Sequence, residues 1–142
     1  MNQAAEKFND YLKEKEINVF QIREMPEQNN AVLFQSFFDI NGTKLPVLVI
    51  FDNSAFTTVR VLIAGSVIKD ENQLDLFKFA NETNLNYKPF KIYYNDEGDL
   101  VLDCYLLTAN NVSGDDIYFH FEVIVNYLQN NYQNMLDRVS KA

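Results

Sequence analysis

A chain of 142 residues with 47% apolar and 14% aromatic content has enough apolar matter to pack one domain and too much to remain disordered. Twelve basic residues against twenty acidic ones give a net charge of −8, and no Lys/Arg cluster interrupts that balance, which excludes an electrostatic nucleic-acid binder and a ligand of anionic membranes. One Cys and one His leave no internal disulfide and no zinc site.

The opening MNQAAEKFND has neither the basic nor the apolar region of a signal peptide, and the apolar runs are strand-length, so a cytoplasmic protein is expected. Ala4, Ala5, Phe8, Tyr11 and Leu12 then fall on one face of a predicted helix over Gln3 to Glu16, opposite Glu6, Lys7, Asp10, Lys13 and Glu14. Ile17, Val19, Phe20 and Ile22 suggest a short first strand, closed by the turn Met25 to Asn30.

Ala31 to Ile40 and Thr43 to Phe51 read as strands joined by Asn41-Gly42, a pair that accepts the positive φ of a tight hairpin turn. Pro46 has no N–H to donate, which puts the first half of the returning strand at an edge or a bulge. After the turn Asp52-Asn53-Ser54, Phe56 to Ala64 alternates as a fourth strand. Asp70 and Gln73 have the spacing of a capping box, starting a helix that runs to about Asn84 with Leu74, Phe77, Phe79 and Ala80 on its apolar side.

Tyr87 to Thr108 reads as two strands around the acidic turn Asn95-Asp96-Glu97-Gly98-Asp99. Ser113 caps a closing helix whose buried stripe is Ile117, Phe121, Ile124, Leu128, Tyr132, Met135 and Val139, with Glu122, Asn126, Gln129, Gln133 and Asp137 facing water. The order α-β-β-β-β-α-β-β-α predicts a single α+β domain over residues 1–142, an antiparallel sheet with helices mainly on one face.

Chemistry is sparse in this pattern. His120 lies beside the apolar stripe of the last helix with no partner nominated for it, so a structural role is expected. Cys104, mid-strand beside Leu102 and Leu106, behaves as a small hydrophobe. The acidic turn is too short for a calcium loop and reads as a hairpin turn with Gly98 left-handed. No phosphate loop, dinucleotide fingerprint or nucleophile elbow is present, so a non-enzyme without a cofactor is expected.

What stands out is the second face of the sheet. The last strand places Val101, Asp103, Tyr105 and Leu107 opposite Leu100, Leu102, Cys104 and Leu106. The second strand places Leu33 and Phe37 opposite Val32, Phe34, Phe38 and Ile40. A one-sided antiparallel sheet should alternate between apolar and polar, and each large side chain buried is worth roughly 1.5–3 kcal/mol. Loops, the first helix, a second subunit or a bound polypeptide must cover what is left. Val101, Tyr105, Leu107, Leu33 and Phe37 are the candidate protein-binding residues.

The helix LDLFKFANETN (Leu74 to Asn84), the run Tyr87-Lys88-Pro89-Phe90-Lys91, the stretch Tyr94 to Leu102 and the closing helix from Ser113 resemble the YbjN-type family, bacterial sensory transduction regulators, and by layout the type III secretion chaperone-like fold. The resemblance implies a small cytoplasmic domain without catalytic residues, forming homodimers that hold a client segment against apolar patches. The expectation is thus a chaperone-like or regulatory protein-binding domain whose partner is a client or a second copy. The alternative is an immunity or antitoxin-like protein that masks a basic partner through Asp96, Glu97, Asp99, Asp103, Asp115 and Asp116.

Overall fold

Alternation along the strands decides which side of this protein is its inside. Val32 and Phe34, then Val47, Val49 and Phe51, Val59, Val61 and Ile63, and Leu102 and Cys104 all point one way and are buried. The computed structural model describes residues 1–109 and 111–141. Its elements are α1 (Gln3–Glu14), β1 (Gln21–Met25), β2 (Ala31–Ile40), β3 (Thr43–Phe51), β4 (Phe56–Ala64), α2 (Gln73–Asn86), β5 (Lys91–Tyr94), β6 (Leu100–Leu107) and α3 (Gly114–Lys141).

The six strands make one open antiparallel sheet in the order β1-β2-β3-β4-β6-β5, so the fold is α+β with the expected element order. All three helices lie on the face of Phe34 and Val49. Ala5, Phe8 and Leu12 of α1 and Ile117, Phe121, Ile124, Tyr127 and Leu128 of α3 complete the core there. Phe8 is its aromatic centre, with ring centroids 5.1 Å from Phe34 and 5.4 Å from Phe51. Among the described residues, the opposite face carries no helix. No helix among the described residues is long and apolar enough to cross a membrane.

Local chemistry follows the expected punctuation at most joints. Asn41 and Gly42 both take positive φ, and the Gly42 N–H donates to Asp39 Oδ1 at 3.0 Å, closing the β2–β3 hairpin. The β3–β4 ladder starts at Val47, so Pro46 sits where β3 is paired only with β2 and its missing N–H costs nothing. Ser113 Oγ accepts the Asp116 N–H at 3.1 Å as the cap of α3.

Three expectations are corrected. The first strand is Gln21–Met25 rather than Ile17 to Ile22: Ile17 and Phe20 pack into the helix-side core, Phe20 lying 5.8 Å from Phe8. Pairing begins only where the chain runs beside β2. Second, Asp70 and Gln73 form no capping box. The cap residue is Asn72, whose side chain turns back to accept the Lys69 N–H and to donate to the Val67 carbonyl. Third, α2 buries Ala80 and packs Phe79 in part against the core as expected, but its other buried residues are Leu76 and Thr83, while Leu74 and Phe77 are exposed rather than on the apolar side. The closing helix keeps its stripe, with Tyr132 and Val139 only partly buried.

The α1–α3 junction depends on one small residue. A Cβ on Gly114 would fall within the Tyr11 ring, whose hydroxyl donates to Asp115 at 2.8 Å. Gly114→Ala should therefore lower stability by about 1–3 kcal/mol, the usual range for overpacking. Urea unfolding with an unchanged m-value would check this.

Candidate protein-binding face of the sheet

The helix-free face is ordered in cross-strand rows. One row runs Gln35, Leu48, Arg60, Asp103, Lys91. The next runs Leu33, Ile50, Thr58, Tyr105, and beyond it Phe56 pairs with Leu107. On the other side of the charged row lie Leu62, Val101 and Tyr93, with Phe37 opposite Pro46.

Asp103 is the centre of this face and is completely buried although no helix covers it. Its carboxylate accepts two bonds from Arg60, Nε at 2.8 Å and Nη2 at 3.0 Å, and one each from the hydroxyls of Tyr93 at 2.8 Å and Tyr105 at 2.7 Å. The paired N–H fork of an arginine matches a carboxylate geometrically, and charge-assisted bonds of this kind are among the strongest available. Lys91 places its ammonium 5.1 Å from the centroids of both tyrosine rings. The carboxylate is thus sealed by its own donors. Burial, and then the Asp103 hydrogen bond, push the Tyr105 phenol up to about 12, and the same causes raise Tyr93.

The five expected residues all lie on this face, but they do not converge on a point. Tyr105 is half exposed, Phe37 more so, and Leu107 is 71% exposed, whereas Val101 and Leu33 are already buried by their neighbours. Leu33 instead helps to floor a shallow depression of about 400 Å³ with Leu48 and Ile50, bordered by Arg23, Thr58 and Arg60. Phe56, exposed beside Leu107, belongs with them; its place at the opening of its strand hides this in the sequence. Arg60 and Tyr93 are likewise absent from the expected set. The available signal was one lone cation inside FTTVRVLIA and one lone anion inside LVLDCYLL, each stranded in an apolar strand.

The remaining chemistry-bearing residues are elsewhere and apart. Cys104 is buried on the core side, and burial pushes its thiol up to about 11. His120 Nδ1 lies 2.7 Å from the Asp116 carbonyl oxygen, which can only accept, so that nitrogen carries the proton. The acidic turn is closed by itself: Asn95 Oδ1 accepts the Glu97 and Asp99 N–H groups, and Gly98 has φ of +78°. Asp99 accepts the Ser66 N–H at 2.7 Å. Of the six acids expected to meet a basic partner, Asp103 is removed from the surface, and Asp99 and Asp115 are engaged within the chain. Among the described residues no three His, Cys, Asp or Glu side chains converge as metal ligands would.

Removing the central carboxylate should cost stability and free the phenols. Asp103→Asn should lose about 2–3 kcal/mol in urea unfolding, less than a fully buried pair because the Arg60 side chain is 39% exposed and can turn to water. Tyr105 in the native protein stays protonated well above its unfolded value of 10. The stability this gives is complete below pH 10 and is lost as pH rises through about 12. Spectrophotometric titration of tyrosinate should show two phenols ionising at lower pH in Asp103→Asn than in the native protein, though still later than free tyrosine because burial remains. Comparison places no relative beside this geometry: no protein-family model matches the chain, and no curated protein matches it.

Proposed function

We propose that this is a non-catalytic protein-binding domain, chaperone-like or regulatory, that acts through the helix-free face of its sheet and pairs there with a second copy of itself. The observation that carries the reading is the set of large side chains left in water on that face, Phe37, Phe56, Tyr105 and Leu107, around a centre already rigid and satisfied. Isolated exposed apolar residues are ordinary; four on one sheet face are a reason to look for a partner.

Area supports the reading. Six strands about 4.8 Å apart and some eight residues long span roughly 24 by 27 Å, or about 650 Å² before side-chain relief. A standard interface takes about 800 Å² from each partner. Charge supports self-pairing in particular. The face and its rim hold Arg23, Lys44, Arg60 and Lys91 against Asp39, Asp52 and Asp103, a near balance. The rest of the chain then carries the other eight cations and seventeen anions of the twelve and twenty in the sequence. Two copies meeting through this face would bring little net charge together, whereas the remainder of the chain holds the acid excess.

Sedimentation equilibrium should give a dimer for the native chain. Leu107→Glu, at a position that is mostly in water and contributes little to the monomer, should weaken it by at least about tenfold while thermal unfolding still shows a folded domain. A native chain that stays monomeric at high concentration would refute self-pairing. A dimer indifferent to Leu107→Glu and to Phe56→Glu would refute the choice of face.

A further inference from the structure

We infer that the outer face of α2 is a second, separate docking surface, and that its occupant is a cationic amphipathic helix of a partner protein. The starting point is an inversion. Leu74, Phe77 and Leu85 are apolar residues of the kind a helix normally buries, yet they are 69%, 52% and 77% exposed. At 100° per residue they share one stripe with Lys78 and Asn81, on the side of the helix away from Leu76, Ala80 and Thr83, which are buried. The stripe from Leu74 to Leu85 rises about 16 Å, three turns, which is the footprint of a helix laid in an apolar groove.

Charge names the occupant. Asp70, Glu71 and Asp75 flank the Leu74 end, in the first turn of the helix and the residues leading into it. The β5–β6 turn adds two more. The Gly98 carbonyl accepts the Val67 and Ile68 N–H groups just before α2, and the Phe77 ring centroid lies 5.9 Å from that of Tyr94, so the turn that carries Asp96 and Glu97 is tied to the segment leading into the same end of the helix. Against these five carboxylates stand Lys69 and Lys78; Arg138 is occupied by Glu82 and by the Phe79 ring. An apolar strip with an acidic collar at one end fits apolar side chains flanked by Lys and Arg. A second copy of this chain fits it poorly, because its own stripe offers a single cation, Lys78, to these carboxylates.

This surface lies across the sheet from Phe56, Tyr105 and Leu107, so it does not rest on the self-pairing proposed above and stays open if that pairing occurs. The probe is a labelled Leu/Lys peptide of about 14 residues with Leu at helical i, i+3, i+4, i+7 spacing, read by fluorescence anisotropy. Two controls accompany it: the same composition scrambled, and the same pattern with Glu for Lys.

The native protein should bind the patterned cationic peptide at least about tenfold more tightly than either control, and more weakly as salt rises. Leu74→Ser with Phe77→Ser should abolish that preference, and so should Asp75→Lys with Glu71→Lys. Leu107→Glu should leave it intact. The four substituted side chains are exposed, so the variants should unfold like the native protein. Equal binding of the scrambled peptide would overturn the inference as mere charge attraction. Loss of binding in Leu107→Glu alone would move the site to the sheet and overturn it as well. Dispersal of a dimer by Leu74→Ser with Phe77→Ser would mean that a second copy covers α2, and would overturn it equally.

Discussion

A carboxylate fully withdrawn from water on an uncovered sheet face is the constraint that organises this protein. Taking Asp103 out of solvent costs several kcal/mol before any partner is counted. Four hydrogen bonds from three residues on three strands offset that cost, and they can do so only in one register. Arg60 lies directly opposite Asp103 on β4, and Lys91 lies opposite it on β5. A slip of one residue would turn Asp103 into the core among Val59 and Val61, where no donor waits, and would turn Leu102 and Cys104 out of it. The polar pair therefore specifies the order and phase of β4, β6 and β5 in a way that the apolar residues, present on both faces of β6, do not. The irregularity between Leu62 and Ala64 falls beyond this pair, where the register no longer needs to be held.

The same network sets the character of the surface. Because the hydroxyls of Tyr93 and Tyr105 point inward to the carboxylate, their rings are what the face presents outward, with Lys91 lying over both. A tyrosine usually offers its polar tip to water and its ring to the core. Here the arrangement is reversed, and polar residues make an apolar platform. Fixing the rings by hydrogen bonds also removes side-chain freedom in advance, so a partner that lands on them loses less entropy in ordering. The helices cannot relieve this face, since α1, α2 and α3 are all committed to the other side and the hairpin turns are short.

Much of this was legible in the residues. Strands β2, β3 and β4 have the bounds their alternation and turn residues predict, and Asn41-Gly42, Gly98 and Ser113 do what their chemistry requires. The split of β6 into two faces was legible as well. What alternation could not tell was how much of the second face its own neighbours cover. Val101 and Leu33 are buried by in-plane packing, and Asp103 by partners on β4 and β5 that are distant in sequence. The side of α2 was read correctly at Phe79 and Ala80 but not at Leu74 and Phe77, for a related reason. Its apolar residues surround the helix, so periodicity gives no direction, and only docking against β5 decides that Leu76 and Ala80 face inward. Asn72 displaced Asp70 as the cap because its side chain can satisfy both a donor and an acceptor of the preceding turn, which a carboxylate cannot.

The distribution of charge then separates the two surfaces that remain apolar. On the sheet face anions and cations nearly cancel, and the one buried carboxylate is matched by its arginine. At the Leu74 end of α2 the carboxylates dominate, and the ion pair of Glu82 with Arg138 lies toward its other end. A surface of the first kind tolerates its own copy; a surface of the second kind suits it poorly and discriminates among foreign partners by sign. Neither property follows from apolar area, which the two surfaces share. In a chain of net charge −8, the local ratio of base to acid decides what each exposed patch is able to meet. The acidic excess that argued against nucleic acid at the outset thus appears again at the scale of a single helix, where it sets the sign of charge that a partner of the Leu74–Phe77 stripe would have to bring.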